Sequence, residues 1–227
     1  MNLFLKFNRF LLAGILILFS LLLYSCHEAS VFPNNNKKEP DFVTKNPGYF
    51  PNTVGTKWVY LENPRLPSAD SVTIEIISRI VLENKDTASV WKLTRRSNPD
   101  YDSLMYVTCV RDTVKFYTDL NDIYNPKKVF IAYLLPLKIP NHWDYRIPDK
   151  DSITDIAVVE RVEHIRVSGG IEYIGAFLIY RSIKSPKEYL GNVNIYFVPY
   201  IGMVYFVPNF GKEPANPMEL VKYSIMK

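Results

Sequence analysis

Val72-Thr73-Ile74-Glu75-Ile76-Ile77-Ser78-Arg79-Ile80 places Val72, Ile74, Ile76 and Ile80 on even positions and Thr73, Glu75 and Arg79 opposite them. Successive side chains leave an extended backbone on opposite sides, so a period of two marks a strand with one buried face. Working outward, Lys57-Trp58-Val59-Tyr60-Leu61 puts two large rings on one face, and Asn84-Lys85-Asp86 reads as a turn before Val90–Thr94. Leu104–Val110 and Val114–Tyr117 flank Arg111-Asp112-Thr113 as a hairpin would, and Phe130–Leu135 stops at Pro136. Trp143 and Tyr145 alternate before Pro148, and the longest run is Ile156–Val167, whose apolar parity switches between Val158 and Val159 as at a β-bulge. Ser168-Gly169-Gly170 is a turn, Phe177, Ile179 and Ile183 alternate against Tyr180, and Val193, Ile195 and Phe197 alternate before Pro199. Gly202–Val207 and the run Val221, Tyr223, Ile225 follow.

No window carries a sustained helical period, and proline interrupts the chain too often for long helices. Roughly ten short strands with hairpin connections predict a mainly β fold, a strongly curved antiparallel sheet or half-barrel. The 227 residues are 48% hydrophobic and 22% charged, a globular composition, and the 14% aromatic content suits pleated surfaces. No repeat of fixed period points to a propeller or solenoid.

The N-terminus has a different grammar. Lys6 and Arg9 precede an uncharged run from Phe10 to Leu23, which is short for a membrane span of about 20 residues but suits a signal-peptide core. Leu23-Tyr24-Ser25-Cys26 resembles the lipobox of bacterial lipoproteins. That resemblance implies cleavage before Cys26, a diacylglyceryl thioether on its sulfur and, usually, an N-acyl chain, so that the mature chain has 202 of the 227 residues. Two or three acyl chains hold a protein stably where one does not. His27–Gly48 is rich in Pro, Asn and Lys and reads as a tether averaging about 25 Å end to end. The expected organisation is a signal peptide at 1–25, a lipidated cysteine and tether at 26–48, and a β-rich domain at 49–227. His27-Glu28 lacks the Asp that retains enteric lipoproteins in the inner membrane, which favours the outer membrane; no dense acidic run of the kind linked to surface export in Bacteroidetes follows Cys26, so a periplasm-facing domain is preferred to one at the cell surface.

Three stretches carry a further resemblance: Tyr49-Phe50-Pro51 followed by Val54-Gly55-Thr56-Lys57-Trp58-Val59-Tyr60; Gly175-Ala176-Phe177; and Tyr200-Ile201-Gly202-Met203-Val204 with Glu219-Leu220-Val221. In this order they resemble the TapB-like domain of uncharacterised bacterial lipoproteins, especially those of Bacteroidetes, over Tyr49–Lys227. The resemblance implies a curved antiparallel sheet somewhat like the half-barrels of the lipoprotein carriers LolA and LolB, and it implies no catalytic residues. The family often has Pro-Gly before its last glycine element, where this chain has Pro199-Tyr200-Ile201-Gly202.

The chemistry-bearing residues are sparse. His27, His142 and His164 are the three histidines, and no zinc spacing, nucleophile elbow, P-loop or dinucleotide fingerprint occurs. Glu160 and His164 would share a face of an uninterrupted strand and could form an acid–base pair. Arg161, Glu163 and Arg166 around them read more simply as a solvated charged face. Asp149-Lys150-Asp151 lacks the Gly and terminal Glu of a calcium loop. Cys109 shares a face with Met105 and Val107 and reads as a buried thiol. No cofactor or metal is expected. The formal charge of +4, which falls to +2 without Lys6 and Arg9, is too dispersed for nucleic acid.

Binding is the better expectation. Phe116, Tyr133, Trp143, Tyr180, Tyr196 and Tyr205 could line a groove on a curved sheet, although each alone is more simply a core residue. The sequence therefore predicts a non-enzymatic envelope lipoprotein, held to the membrane through Cys26, whose domain binds an apolar ligand or an envelope protein. The alternatives are a structural or interaction subunit of an envelope complex and a hydrolase with dispersed carboxylates.

Overall fold

The structure, a computed structural model, describes residues 42–124, 128–146, 153–210 and 216–226. Cys26 with its leader and Asp149-Lys150-Asp151 lie outside the described residues.

The alternating runs become twelve strands among the described residues. They are β1 Lys57–Glu62, β2 Asp70–Val81, β3 Thr87–Arg95, β4 Asn98–Val110, β5 Thr113–Tyr117, β6 Phe130–Leu134, β7 His142–Asp144, β8 Thr154–Arg166, β9 Glu172–Lys184, β10 Tyr189–Val198, β11 Gly202–Asn209 and β12 Met218–Ser224. The sheet order is β6-β5-β4-β3-β2-β1-β12-β11-β10-β9-β8-β7. Every adjacency joins sequence neighbours except β1 with β12, where Lys57 faces Ser224 and Glu62 faces Met218. At the other seam Phe130 bridges Arg146, and the Ile131 amide donates to the Tyr145 carbonyl at 2.8 Å. The sheet is thus a nearly closed antiparallel barrel, and closure removes the unpaired edges that an open sheet of this size would expose.

Bulges bend the strands. The one expected between Val158 and Val159 lies slightly further on, at register shifts between Val159 and Arg161 and between Glu163 and Ile165. Apolar parity locates a bulge only to within the stretch where either residue can face the core. Here the extra residue, Glu160, is hydrophilic and takes the exposed place.

The barrel is filled by its own rings. Phe50 stacks on Trp91 at 5.9 Å and on Phe197 at 6.3 Å, Trp58 meets Trp91 at 5.0 Å, and Tyr133 meets Phe197 at 4.9 Å. Phe50 belongs to no strand. It comes from residues 42–54, which strap the core: the Phe42 amide donates to Asp112 Oδ1 at 2.8 Å, and Tyr200 N donates to the Tyr49 carbonyl at 2.9 Å. Residues 42–48, which composition assigns to the tether, are therefore folded onto the domain. A helical turn, α1, spans Phe42–Lys45, and the Phe42 ring packs edge-on to Tyr49 at 5.0 Å. Two apolar rings outweigh the surrounding polar composition because both are buried or packed against the core.

β11 and β12 pair only at Tyr205–Glu219 and Phe206–Met218. Below that point, side chains from β1 and β9 reach across to carbonyls of this region. Trp58 Nε1 donates to Ile201 O at 2.6 Å, the Tyr60 hydroxyl to Met203 O at 2.8 Å, and the Tyr173 hydroxyl to Leu220 O at 2.9 Å. The tip of the β8–β9 hairpin also reaches β12, where Ser168 N donates to Glu219 Oε2 at 2.5 Å.

At Pro199-Tyr200-Ile201-Gly202 the turn places Tyr200 at φ 68° and Gly202 at φ 105°. Tyr200 holds the left-handed conformation against its own propensity, with its ring against Tyr49 at 5.7 Å. Gly202 needs the absence of a Cβ both for its dihedral and because Trp58 Nε1 would stand 3.4 Å from one. Gly202→Ala is expected to destabilise the domain by about 1–3 kcal/mol, read as a lower urea midpoint at unchanged slope.

Candidate functional site

The six aromatic residues singled out in the sequence divide into two groups of three. Tyr133 and Trp143 are buried in the core, and Phe116 packs against it. Trp143 Nε1 donates to Ile131 O at 2.8 Å, which ties β7 to β6. Desolvation pushes the Tyr133 hydroxyl far above the usual phenol range, so it stays neutral. Tyr180, Tyr196 and Tyr205 alternate with the core residues Ile179, Ile195 and Val204 and so lie on the other face of their strands, where Tyr196 and Tyr205 are still partly buried against the core.

The register brings these three together. Leu178 faces Tyr196, and Tyr196 faces Tyr205, across β9, β10 and β11. One row further along, Tyr180 faces Asn194, and Asn194 faces Val207. Tyr196 and Tyr205 stack at 5.6 Å with 29° between their planes. The Tyr180 and Tyr189 hydroxyls are 3.3 Å apart, and Asn192 Nδ2 donates to Tyr189 Oη at 2.7 Å. Asn194 Oδ1, between the two tyrosine groups, is buried without a hydrogen-bond partner among the described residues. An unfilled acceptor of this kind costs stability unless something else supplies a donor.

Charge borders the face. Arg161 Nε donates to Glu163 Oε2 at 3.0 Å, and Arg161 also pairs with Glu160 at 3.4 Å. The hydrogen bond with Tyr189, and then desolvation, raise the Tyr180 hydroxyl to about 12. Desolvation, and then the Glu163 carboxylate, raise Tyr196. These phenols are neutral donors at physiological pH. Beside Tyr205 the face runs into a surface groove of about 380 Å³ formed by Asn63, Arg65, Leu66, Val207 and Pro217.

The other candidates resolve differently. Glu160 and His164 are both exposed, and the two bulges break the uninterrupted strand on which their shared face depended; Arg161 instead ties Glu160 to Glu163. Cys109 is half-buried rather than enclosed, opposite Val114 and against the core. Among the described residues no three His, Cys, Asp or Glu side chains gather as a metal site would require. Several carboxylates are taken by cations: Asp102 by Lys92 at 2.7 Å, Asp122 by Lys128 at 2.8 Å, and Asp155 by Arg181.

The Asp155–Arg181 pair was not singled out in the sequence. Arg181 reaches Asp155 through Nε at 3.1 Å and a second nitrogen at 2.5 Å, and its guanidinium lies 3.3 Å from the centre of the Tyr145 ring. Both charged side chains are largely buried, 12% and 6% exposed. Arg181 alternates with Ile179 and Ile183, and that position on the apolar parity of β9 was the available signal.

No protein-family model and no curated protein matches the chain. Two solved structures resemble it. One is a Bacteroides fragilis protein, assigned by inference as exported and with a YmcC-like fold: it is 11% identical over 78% of this chain and 98% of its own, with a TM-score of 0.43. The other is a Parabacteroides distasonis protein, assigned by inference as a lipoprotein: it is 11% identical over the same shares, with a TM-score of 0.44.

Proposed function

We propose that this chain is a lipid-anchored, non-enzymatic lipoprotein of the bacterial envelope, and that its barrel binds an envelope protein through the Tyr180–Tyr196–Tyr205 face. The observation that carries the binding reading is that the interior is occupied by rings, while a stacked, partly exposed tyrosine pair and an unfilled Asn194 acceptor lie on the alternate face of β10 and β11. Tyrosine and arginine supply much of the energy of protein interfaces, because they bury large rigid area and still form hydrogen bonds. An apolar ligand held inside the barrel would have to displace Phe50, Trp91 or Phe197. The TapB-like resemblance of Tyr49–Lys227 is part of the same reading, with Tyr49-Phe50-Pro51 acting as the strap.

The anchor rests on Leu23-Tyr24-Ser25-Cys26 and the apolar run before it. Intact-mass analysis of membrane-extracted protein is expected to show loss of residues 1–25 and a gain of two or three acyl chains. Cys26→Ala is expected to abolish both changes, giving an unacylated chain that keeps residues 1–25. Retention of the leader in the wild-type chain would remove the anchor reading, and with it the outer-membrane location.

The face is tested by a photo-crosslinking residue placed at Tyr205 in living cells, with a second at Glu75 on β2 as the control. A discrete adduct at position 205 that is absent at 75, and that is reduced at least fivefold by Tyr196→Ala, is the expected result. Equal labelling at both positions would remove the reading. Tyr196→Ala is expected to cost about 1–2 kcal/mol, since the ring is only partly buried.

A further inference from the structure

We infer that the groove beside Tyr205 takes an acidic residue of the partner protein, its carboxylate on Arg65 and its apolar neighbours on Leu66, Val207 and Pro217. This rests on the reading of the Tyr180–Tyr196–Tyr205 face as the partner surface, and it names the chemistry that the partner brings to one edge of that face.

The groove exists because two strands part. β11 runs on to Asn209, whereas β12 begins at Met218, and the two pair only at Tyr205–Glu219 and Phe206–Met218. Beyond Phe206 the edge of β11 therefore has no strand beside it among the described residues. The β1–β2 connection forms the facing wall. Asn63 N donates to Pro217 O at 2.8 Å, Leu66 N to Asn63 O at 2.9 Å and Ala69 N to Leu66 O at 3.0 Å. Two successive turns, with Pro64 and Pro67 limiting the backbone, thus hold Arg65 and Leu66 in place and tie them to the residue before β12. Tyr205 and Val207 share one face of β11 and complete the groove of about 380 Å³.

Arg65 is the charge left to act in this groove. It is exposed, it has no carboxylate partner among the described residues, and the β1–β2 connection that carries it contains no acid. The described carboxylates around it are engaged. Glu62 pairs with Arg95, and Asp70 accepts from Ser71 N at 2.8 Å and Ser97 N at 3.1 Å. Glu219 is 5% exposed, and its Oε2 accepts from Ser168 N at 2.5 Å, so its carboxylate is turned toward the β8–β9 hairpin. The Tyr205 hydroxyl feels both charges: desolvation and then Glu219 push it up, and Arg65 pulls it down. The phenol stays neutral, so it adds a donor and no charge.

A guanidinium on the rim of an apolar groove selects an anion with an apolar body, and its fork of donors matches the two oxygens of a carboxylate. Leu66, 53% exposed, supplies apolar surface together with Val207 and Pro217. The Asn63 and Asn216 amides supply donors and acceptors that suit peptide backbone on either side of an acid. An exposed ion pair by itself contributes little in water. Next to the stacked Tyr196 and Tyr205 rings it sets the orientation of a partner that the rings hold. A lipid phosphate would also meet Arg65, and the experiment separates the two.

The test places a photo-crosslinking residue at Leu66 of the full-length chain in living cells. The expected adduct is a protein, and mass mapping of the joined peptide finds an Asp, a Glu or a C-terminus within about three residues of the joined position, roughly 10 Å of extended chain. Arg65→Glu is expected to reduce the adduct about fivefold or more, and Arg65→Lys, which keeps the charge, to retain about half of it or more. Each variant must accumulate to the level of its parent, and Arg65→Gln serves in place of Arg65→Glu if the latter does not. No adduct at 66, an adduct insensitive to the loss of the Arg65 charge, a lipid adduct, or a joined peptide without an acid overturns the inference. If any of these accompanies a Tyr196-dependent adduct at 205, the tyrosine face remains the partner surface and only the role of the groove is removed. An Arg65-dependent adduct at 66 without one at 205 has the reverse meaning.

Discussion

Trp58→Ala is expected to destabilise the domain by about 3–5 kcal/mol, enough to unfold a domain of ordinary stability or bring it close to unfolding. Trp58 is 2% exposed, so its loss opens a large cavity against Trp91. The substitution also removes the donor to Ile201 O, in the region where β11 and β12 no longer pair and side chains hold the strands together. Trp58→Phe helps separate the two contributions, because it keeps an aromatic ring in place while removing the indole N–H and part of the volume. It is expected to cost about 1–3 kcal/mol, the range for a buried carbonyl left without its partner together with a small volume loss. Urea unfolding of both variants measures the difference. Equal losses for Phe and Ala would show that the hydrogen bond, and not the packing, dominates. A loss below about 1 kcal/mol for Ala would contradict the buried position itself.

Arg181→Met is expected to cost about 3–5 kcal/mol, because it strands the Asp155 carboxylate where little water reaches it. Adding Asp155→Leu to Arg181→Met is expected to recover most of that loss, since an apolar pair of similar size avoids the desolvation that both charges otherwise bear. The effect should also be local. Asp155 O accepts from Tyr145 N at 2.7 Å, and Tyr145 O accepts from Ile131 N at 2.8 Å, so the ion pair and the Tyr145 ring beneath it hold the β6–β7 seam. Hydrogen exchange at the Ile131 and Tyr145 amides should accelerate more in Arg181→Met than exchange at Ile74 on β2. Uniform acceleration would mean that the pair stabilises the barrel as a whole rather than its closure.

Much of the candidate site was legible before the structure. Tyr180 lies out of phase with Phe177, Ile179 and Ile183, and Tyr196 lies between Ile195 and Phe197, so both were on the minority face of apolar strands. Treating Tyr180, Tyr196 and Tyr205 together with Phe116, Tyr133 and Trp143 as one possible lining obscured that distinction. Asn194 gave no signal, because an asparagine in a strand reads as a solvated residue until its neighbours across β9 and β11 are known. Arg181 was equally silent: a charge on the apolar parity reads as a local exception until Asp155 and Tyr145 are brought to it from β8 and the β7–β8 connection. The start of the strap was hidden by composition, since Phe42 is embedded among Pro, Asn and Lys, and nothing local shows that its ring packs against Tyr49.

By itself the sequence determined the extended runs from Lys57 to Ser224, their turns and the antiparallel class, because the alternation of side chains along a strand is a property of adjacent residues. Leu23-Tyr24-Ser25-Cys26 also resembles a lipobox in the sequence alone. The tertiary structure decided that β1 meets β12 and β6 meets β7, that Phe50 plugs the interior, and that three of six aromatics face away from it. Those outcomes depend on which faces come together when strands distant in sequence close on one another, and burial is a sum over all of them that no single window contains.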